Sequence, residues 1–159
     1  MFQLKISFLF LATLVILSAS AASVIYPPDN DPISTIENAT SQAKVDGKAL
    51  LIVFGADWCG DCRALDKLMD KEPVTKTIAE NFEVVHVDVG NWDKNEPVRT
   101  IFGYPAENGI PSLVVMDSNS TVHFVSRNGE FAGASSMGKD ELNNRLQIIV
   151  KQLKSLPRR

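Results

Sequence analysis

Apolar and polar residues recur along the 159-residue chain in patterns that predict helices and strands. Apolar positions after Asp31 return at helical spacing up to Gly47, which predicts an amphipathic helix. Asp31 can cap this helix and Pro32 can occupy its first turn. The nearly continuous apolar run of residues 49–55 is short, which is typical of a strand buried on both faces. We therefore expect this run to be the central strand of a sheet.

Later patterns predict further helices and strands. A helix is predicted from about Cys59 to a point before Pro73, followed by a helix over residues 74–81 and a strand over residues 82–89. This strand–helix–strand order implies parallel strands. Residues 112–117 and 121–126 predict a hairpin. The segment 91–109 is hardest to interpret, with one short helical stretch around residues 98–102. A final helix is predicted from the apolar stripe Leu142, Leu146, Ile149, Val150 and Leu153.

The N-terminal residues have a different character. Lys5 is followed by the apolar run 6–17 and by the small residues 18–23, which is the pattern of a secretory signal peptide. The apolar run is shorter than the roughly 20 residues that span a membrane, so an uncleaved anchor is the weaker alternative. We predict a signal peptide at 1–22, cleaved after Ala21 or Ala22, an N-terminal lead at 23–31 and one domain at 32–157. The mature protein is expected to be exported, without stable membrane insertion.

Composition narrows the range of partners. A hydrophobic fraction of 45% is enough for one compact domain with a real core. The formal net charge of -3, with acidic and basic residues interspersed, provides no basic surface for nucleic acid or anionic lipid. We therefore expect no nucleic-acid partner. In an oxidising compartment outside the cytoplasm, cysteines can form disulfides that persist.

Both cysteines of the chain lie in the segment WCGDC, residues 58–62. If the two cysteines formed a purely structural disulfide, it would close a very short loop. Such a bond would add only about 2 kcal/mol to stability, against about 4.7 kcal/mol for a loop of a hundred residues. A metal site needs further ligands, but there is no second cysteine pair, and His86 and His123 lie on separate predicted strands. We expect no metal site and no cofactor. Redox chemistry is the strongest of the three interpretations.

The predicted position of the cysteines supports redox chemistry. A thiolate at a helix N-terminus is stabilised by unpaired backbone N–H groups and the helix dipole. Cys59 can then attack a substrate disulfide, and Cys62, one turn further along, can resolve the mixed disulfide. The spacing of two residues makes this second step intramolecular.

A strand, the segment WCGDC, a helix, and later the segment Gly109-Ile110-Pro111-Ser112 before another strand together resemble the thioredoxin family. The resemblance covers nearly all of the predicted mature chain. It implies a thioredoxin-like α/β fold with a central mixed β-sheet flanked by helices. It also implies that Ile110–Pro111 is a cis peptide beside the active site, where its backbone binds the incoming substrate.

The same resemblance assigns roles to the residues of the motif. It makes Cys59 the attacking cysteine, Cys62 the resolving cysteine, and the pair a redox-active disulfide when oxidised. Trp58 would form a flat wall beside them. Gly60 and Asp61 are the supporting residues between the two cysteines.

Two positions depart from thioredoxin. Asp61 stands where thioredoxin has a proline, and its charge should disfavour thiolate and make the centre a weaker oxidant, with Arg63 offsetting part of the effect. Val53 stands where thioredoxin has a buried acid that takes a proton from the resolving cysteine. Asp61, Asp57 or His86 could act in its place, and we hypothesise that Asp61 does.

We therefore predict a periplasmic thiol-disulfide oxidoreductase, secreted across the inner membrane, that acts on oxidised protein substrates. We expect a monomeric reductase, rather than an oxidase or isomerase, that receives electrons from a membrane redox partner of DsbD type. The alternative is a thioredoxin-fold binding module or metallochaperone without turnover.

Overall fold

The computed structural model describes residues 24–28 and 31–155. The predicted signal peptide and the end of the predicted domain therefore lie outside the described residues. The elements in chain order are α1 (Pro32–Asp46), β1 (Ala49–Gly55), α2 (Gly60–Met69), α3 (Val74–Asn81), β2 (Phe82–Asp88), α4 (Glu96–Ile101), β3 (Ser112–Met116), β4 (Val122–Val125) and α5 (Lys139–Ser155). A short 3₁₀ turn, Ala134–Ser136, precedes α5.

The ends of α1 follow from local capping. The Asp31 side chain accepts a hydrogen bond from the Ser34 backbone N–H at 3.1 Å, and Pro32 begins the helix. Gly47 ends it with a left-handed φ of 67°, a conformation in which glycine meets no steric penalty. The predicted helix and both of its end signals are confirmed.

The four strands form a single sheet in the order β2-β1-β3-β4. β1 and β2 are parallel, whereas β3 is antiparallel to both β1 and β4. All seven residues of β1 are buried, as expected for a strand with neighbours on both sides and helices over the sheet. The predicted α/β class with a mixed sheet flanked by helices is confirmed.

The helices pack in two groups. α2, α3 and α5 contact one another, and α5 buries the predicted stripe residues Leu142, Leu146, Ile149 and Val150. α1 packs against β1 and β2. Among the residues that the structure describes, no helix has the length and apolar character needed to traverse a bilayer.

The segment between β2 and β3 differs most from the expectation. Its helix, α4, begins two residues before the predicted stretch. Trp92, Asn95 and Tyr104 adopt positive φ angles of 72°, 54° and 54°, which non-glycine residues rarely adopt. Such a backbone is held by its surroundings, so local patterns could not predict it.

Candidate active site

The two cysteines lie where the chain passes from β1 into α2. Cys59 is the N-cap of α2, and its Sγ accepts a hydrogen bond from the Cys62 backbone N–H at 3.2 Å. This N–H is one of those that the first turn of a helix leaves unpaired, so the position stabilises negative charge on the Cys59 sulfur. The predicted location of the motif at a strand-to-helix junction is confirmed.

The two thiols differ in their access to solvent. Cys59 keeps 7% of its surface exposed and Cys62 keeps none, and no disulfide joins them in this structure. Burial raises the pKa of the Cys62 thiol, and the adjacent Cys59 raises it further. Cys62 is therefore held as a neutral thiol next to a more accessible partner. Chemically, this pair can be a dithiol or an internal disulfide.

A loop that is 51 residues further along the chain lies against Cys59. The Ile110–Pro111 peptide bond is cis, and the Cys59 thiol donates a hydrogen bond to the Ile110 carbonyl at 3.6 Å. The structure thus brings Ile110 and Pro111 beside the first cysteine, although they are far from it in sequence. The cis geometry implied by the resemblance is present. A second cis bond, Glu72–Pro73, lies between α2 and α3.

Two tryptophan side chains form an exposed aromatic surface next to the cysteines. Trp58 is 52% exposed, and its Nε1 donates a hydrogen bond to the Gly90 carbonyl at 2.8 Å. The Trp92 ring packs edge-to-face against it with a centroid distance of 6.5 Å. Trp58, to which the resemblance assigns the role of a flat wall, directly precedes Cys59. Trp92 was not singled out, because its only signal was a position in the irregular segment 91–109.

Comparison with known proteins identifies the family of this chain. A thioredoxin-like family model matches residues 31–118, which include α1, β1, both cysteines and β3. The chain belongs to the thioredoxin-like family. A solved disulphide isomerase from Xylella fastidiosa Temecula1 is 37% identical, with a TM-score of 0.78, and the match covers 82% of this chain and 99% of that one.

Curated relatives of this thioredoxin-like chain are more distant. The thiol:disulfide interchange protein DsbD of Campylobacter jejuni is 28% identical over 108 residues, which are 62% of this chain and 18% of DsbD. A protein disulfide-isomerase of Ricinus communis is 26% identical over 125 residues, 72% of this chain and 25% of the relative. The chain thus spans a quarter or less of these two proteins. Together, the relatives support a general oxidoreductase role.

Val53 occupies the position at which thioredoxin has a buried acid. Val53 is fully buried and is in register with His86 on β2. Neighbours in register on parallel strands point to the same face of a sheet, so His86 lies next to the position of the missing acid. Burial lowers the pKa of His86 and favours its neutral form, although the charge of Asp66 opposes this shift. A neutral imidazole can accept a proton.

Asp61 has a partner that the sequence did not suggest. Its Oδ1 accepts a hydrogen bond from the Ser135 backbone N–H at 2.8 Å. Hydrogen bonds from Ser135 hold the pKa of Asp61 below its usual value, which makes the carboxylate a poor proton acceptor.

Two other residues in or near the motif have simpler surroundings. The Arg63 side chain donates a hydrogen bond to the Asp57 backbone carbonyl. At Gly60, an added Cβ would meet no atom within 4 Å, so packing does not require glycine there.

Tyr26 is a second residue, after Trp92, that sequence reasoning missed. Tyr26, in the predicted N-terminal lead, is 2% exposed and packs edge-to-face on His86 with a centroid distance of 5.1 Å. No local signal could have found it, because its position depends on how the lead folds back onto the domain.

The histidines show no sign of a shared metal site. His123 contacts Asp117 at 2.8 Å near the β3–β4 turn, away from His86 and its neighbour Asp66. Within residues 24–28 and 31–155, no three His, Cys, Asp or Glu side chains are grouped so as to hold a metal ion.

Proposed function

We propose that the protein is an exported thiol-disulfide oxidoreductase that exchanges disulfides with protein substrates through Cys59 and Cys62. The observation that carries this proposal is the arrangement of the two sulfurs: Cys59 caps α2 and faces the Ile110 carbonyl, while Cys62 is buried one turn further along. Thiol-disulfide exchange moves electrons only between sulfur atoms, so the reaction needs no cofactor.

The reaction has two steps. The Cys59 thiolate attacks one sulfur of a substrate disulfide, and the other substrate sulfur leaves with the electron pair and takes a proton. The Cys62 thiolate then attacks Cys59 Sγ, which forms the Cys59–Cys62 disulfide and releases the second substrate thiol. Two electrons pass from the dithiol to the substrate. The backbone at Ile110 and Pro111 binds the substrate chain, with Trp58 as an adjacent wall.

The environment of the thiols favours reduction of substrates. A strong oxidant of this kind has a reduced form that is stabilised as thiolate. Burial instead raises the pKa of Cys62, and the negative charge of Asp61 in the first turn of α2 adds no stabilisation to a thiolate. The reduced form lacks this stabilisation at Cys62, which favours the outward flow of electrons to substrate.

The proposed setting is the periplasm. The apolar N-terminal run followed by small residues supports export, as does the likeness to a thiol:disulfide interchange protein.

After each turnover the internal disulfide requires a reductant, and a membrane dithiol donor of DsbD type fills that role. The exported protein acts as a monomer on oxidised proteins. Mass analysis of the mature protein should then find Ala22 or Ser23 at its N-terminus.

Insulin reduction in the presence of dithiothreitol tests the activity. Wild-type protein should accelerate it, and Cys59→Ser should not. Redox equilibration with glutathione tests the direction, and should give a potential nearer to about -270 mV, as in thioredoxin, than to about -120 mV, as in DsbA. Activity that persists in Cys59→Ser would refute the dithiol mechanism, whereas a potential near the DsbA value would refute the reductase assignment.

A further inference from the structure

A cluster of polar side chains, one buried and two half-buried, lies near Cys62. Tyr26 packs on His86, and His86 Nε2 is 4.0 Å from Asp66 Oδ1 on α2. Three elements contribute to this cluster: the N-terminal lead, β2 and α2. None of the three residues belongs to the cysteine motif.

Specific contacts hold Tyr26 in this cluster. Asp57, two residues before Cys59, accepts hydrogen bonds at its Oδ1 from the backbone N–H groups of Ile25 and Tyr26 at 3.0 and 3.3 Å. Gly55 provides the space for the ring, because an added Cβ there would lie 2.4 Å from Tyr26 Oη. The end of β1 and the loop before the motif are thus shaped to accept this ring.

The hydroxyl group of Tyr26 is buried close enough to Cys62 and Cys59 to interact with them electrostatically. Within residues 24–28 and 31–155, the buried Tyr26 Oη has no hydrogen-bond partner. Buried hydroxyl groups are normally hydrogen-bonded, so an unpaired one calls for an explanation. The titratable groups that surround it are Cys59, Cys62 and Asp66 from α2 and its cap, His86 from β2 and Asp57 from the loop.

The protonation of the phenol decides what it can do. Burial raises the pKa of Tyr26 far above its ordinary value, and the nearby Cys62 raises it further, so the phenol stays protonated. It is therefore a donor and not a base. Conversely, the hydrogen bond available from Tyr26 lowers the pKa of Cys62, against the larger effect of burial.

We propose that the Tyr26 hydroxyl donates a hydrogen bond to Cys62 Sγ as the thiolate forms, and so promotes attack on the mixed disulfide. This proposal rests on the proposed function. Thioredoxin uses a buried acid as a proton acceptor, whereas this chain has Val53 at that position and stabilises the thiolate by a neutral donor. Cys62 loses its proton to solvent, its electron pair forms the bond to Cys59, and the substrate sulfur leaves with the pair of the broken bond. Tyr26 keeps its proton throughout.

Tyr26→Phe tests the proposal, because it deletes the hydroxyl and keeps the ring. With dithiobis(nitrobenzoate) as substrate, attack by Cys59 releases one coloured thiolate and attack by Cys62 releases the second. The second phase should slow by about tenfold, as expected when a hydrogen bond to a charged group is lost, and its rise with pH should move to higher pH. The first phase should change less. Tyr104→Phe is the matched control, since the Tyr104 side chain is 44% exposed and its hydroxyl accepts a hydrogen bond from Thr100.

An independent measurement uses the Cys59→Ser background, in which Cys62 is the single thiol. Ultraviolet absorbance of the thiolate should show a higher titration midpoint for Cys62 when Tyr26→Phe is added. If the second phase and the Cys62 titration are both unchanged, the Tyr26 proposal is overturned while the proposed function stands. If wild-type protein releases no second thiolate, the proposed function fails and the Tyr26 proposal fails with it.

Discussion

Replacing Gly55 by alanine should force the Tyr26 ring out of its buried position. The new Cβ would lie 2.4 Å from both Cζ and Oη of Tyr26, about 1 Å closer than the 3.4 Å at which ordinary contact begins. The backbone of Gly55 cannot move away from the ring, because it is paired with Asp88 on β2. Its carbonyl also accepts a hydrogen bond from the Val89 N–H at 2.9 Å. Inserting a methyl group into such a packed site typically costs about 1–3 kcal/mol.

Urea unfolding of the reduced protein can assign this cost to Tyr26 through a double-mutant cycle. Gly55→Ala should lower the free energy of unfolding by about 1–3 kcal/mol in the wild-type background. In a Tyr26→Ala background it should cost less than about 0.5 kcal/mol, because the ring atoms that the methyl group meets are gone. Gly133→Ala is the control: an added Cβ there meets no atom within 4 Å and the φ of -114° suits alanine, so stability should change by no more than about 0.5 kcal/mol.

Additive costs would refute this reasoning. If Gly55→Ala destabilises the protein equally with and without the Tyr26 ring, the ring does not lie against Gly55. The structural basis for placing the Tyr26 hydroxyl beside Cys62 would then be lost as well.

Three further substitutions test other parts of the site. Asp61→Asn should leave the rate of mixed-disulfide resolution unchanged, because the Asp61 carboxylate is directed to Ser135; a tenfold slower rate would show instead that the carboxylate assists. Burial lowers the pKa of His86 below 6.5, so the unfolded chain binds a proton at higher pH than the folded chain, and stability should fall as the pH drops below 6.5. In urea titrations, His86→Phe should reduce this fall, and an identical pH dependence would contradict the assignment to His86. Trp58→Phe removes the hydrogen bond to Gly90 and should lower the free energy of unfolding by about 0.5–1.5 kcal/mol; unchanged stability would mean that water replaces the bond.

Prediction from sequence worked where the signals were local. The ends of α1 at Asp31 and Gly47 could be predicted, because capping depends on residues within one turn of the helix end. The seven-residue run of β1 was identified because continuous burial leaves a continuous apolar stretch. The helix predicted around residues 98–102 is α4, but its start at Glu96 was not identified, because Asn95, its N-cap, has a left-handed backbone and no side-chain capping bond. A start without a capping signal cannot be read from the residues alone.

The sequence by itself determined the main elements, the spacing of Cys59 and Cys62, and their position at the start of a helix. These features depend on periodicity, capping and neighbours a few residues apart. Only the tertiary structure decided what surrounds the two sulfurs, namely the carbonyl of Ile110 and the phenol of Tyr26, and that Asp61 binds the Ser135 backbone N–H. Such contacts join residues distant in sequence, and they follow from strand register and from the way the loops and the N-terminal lead close over one shared core.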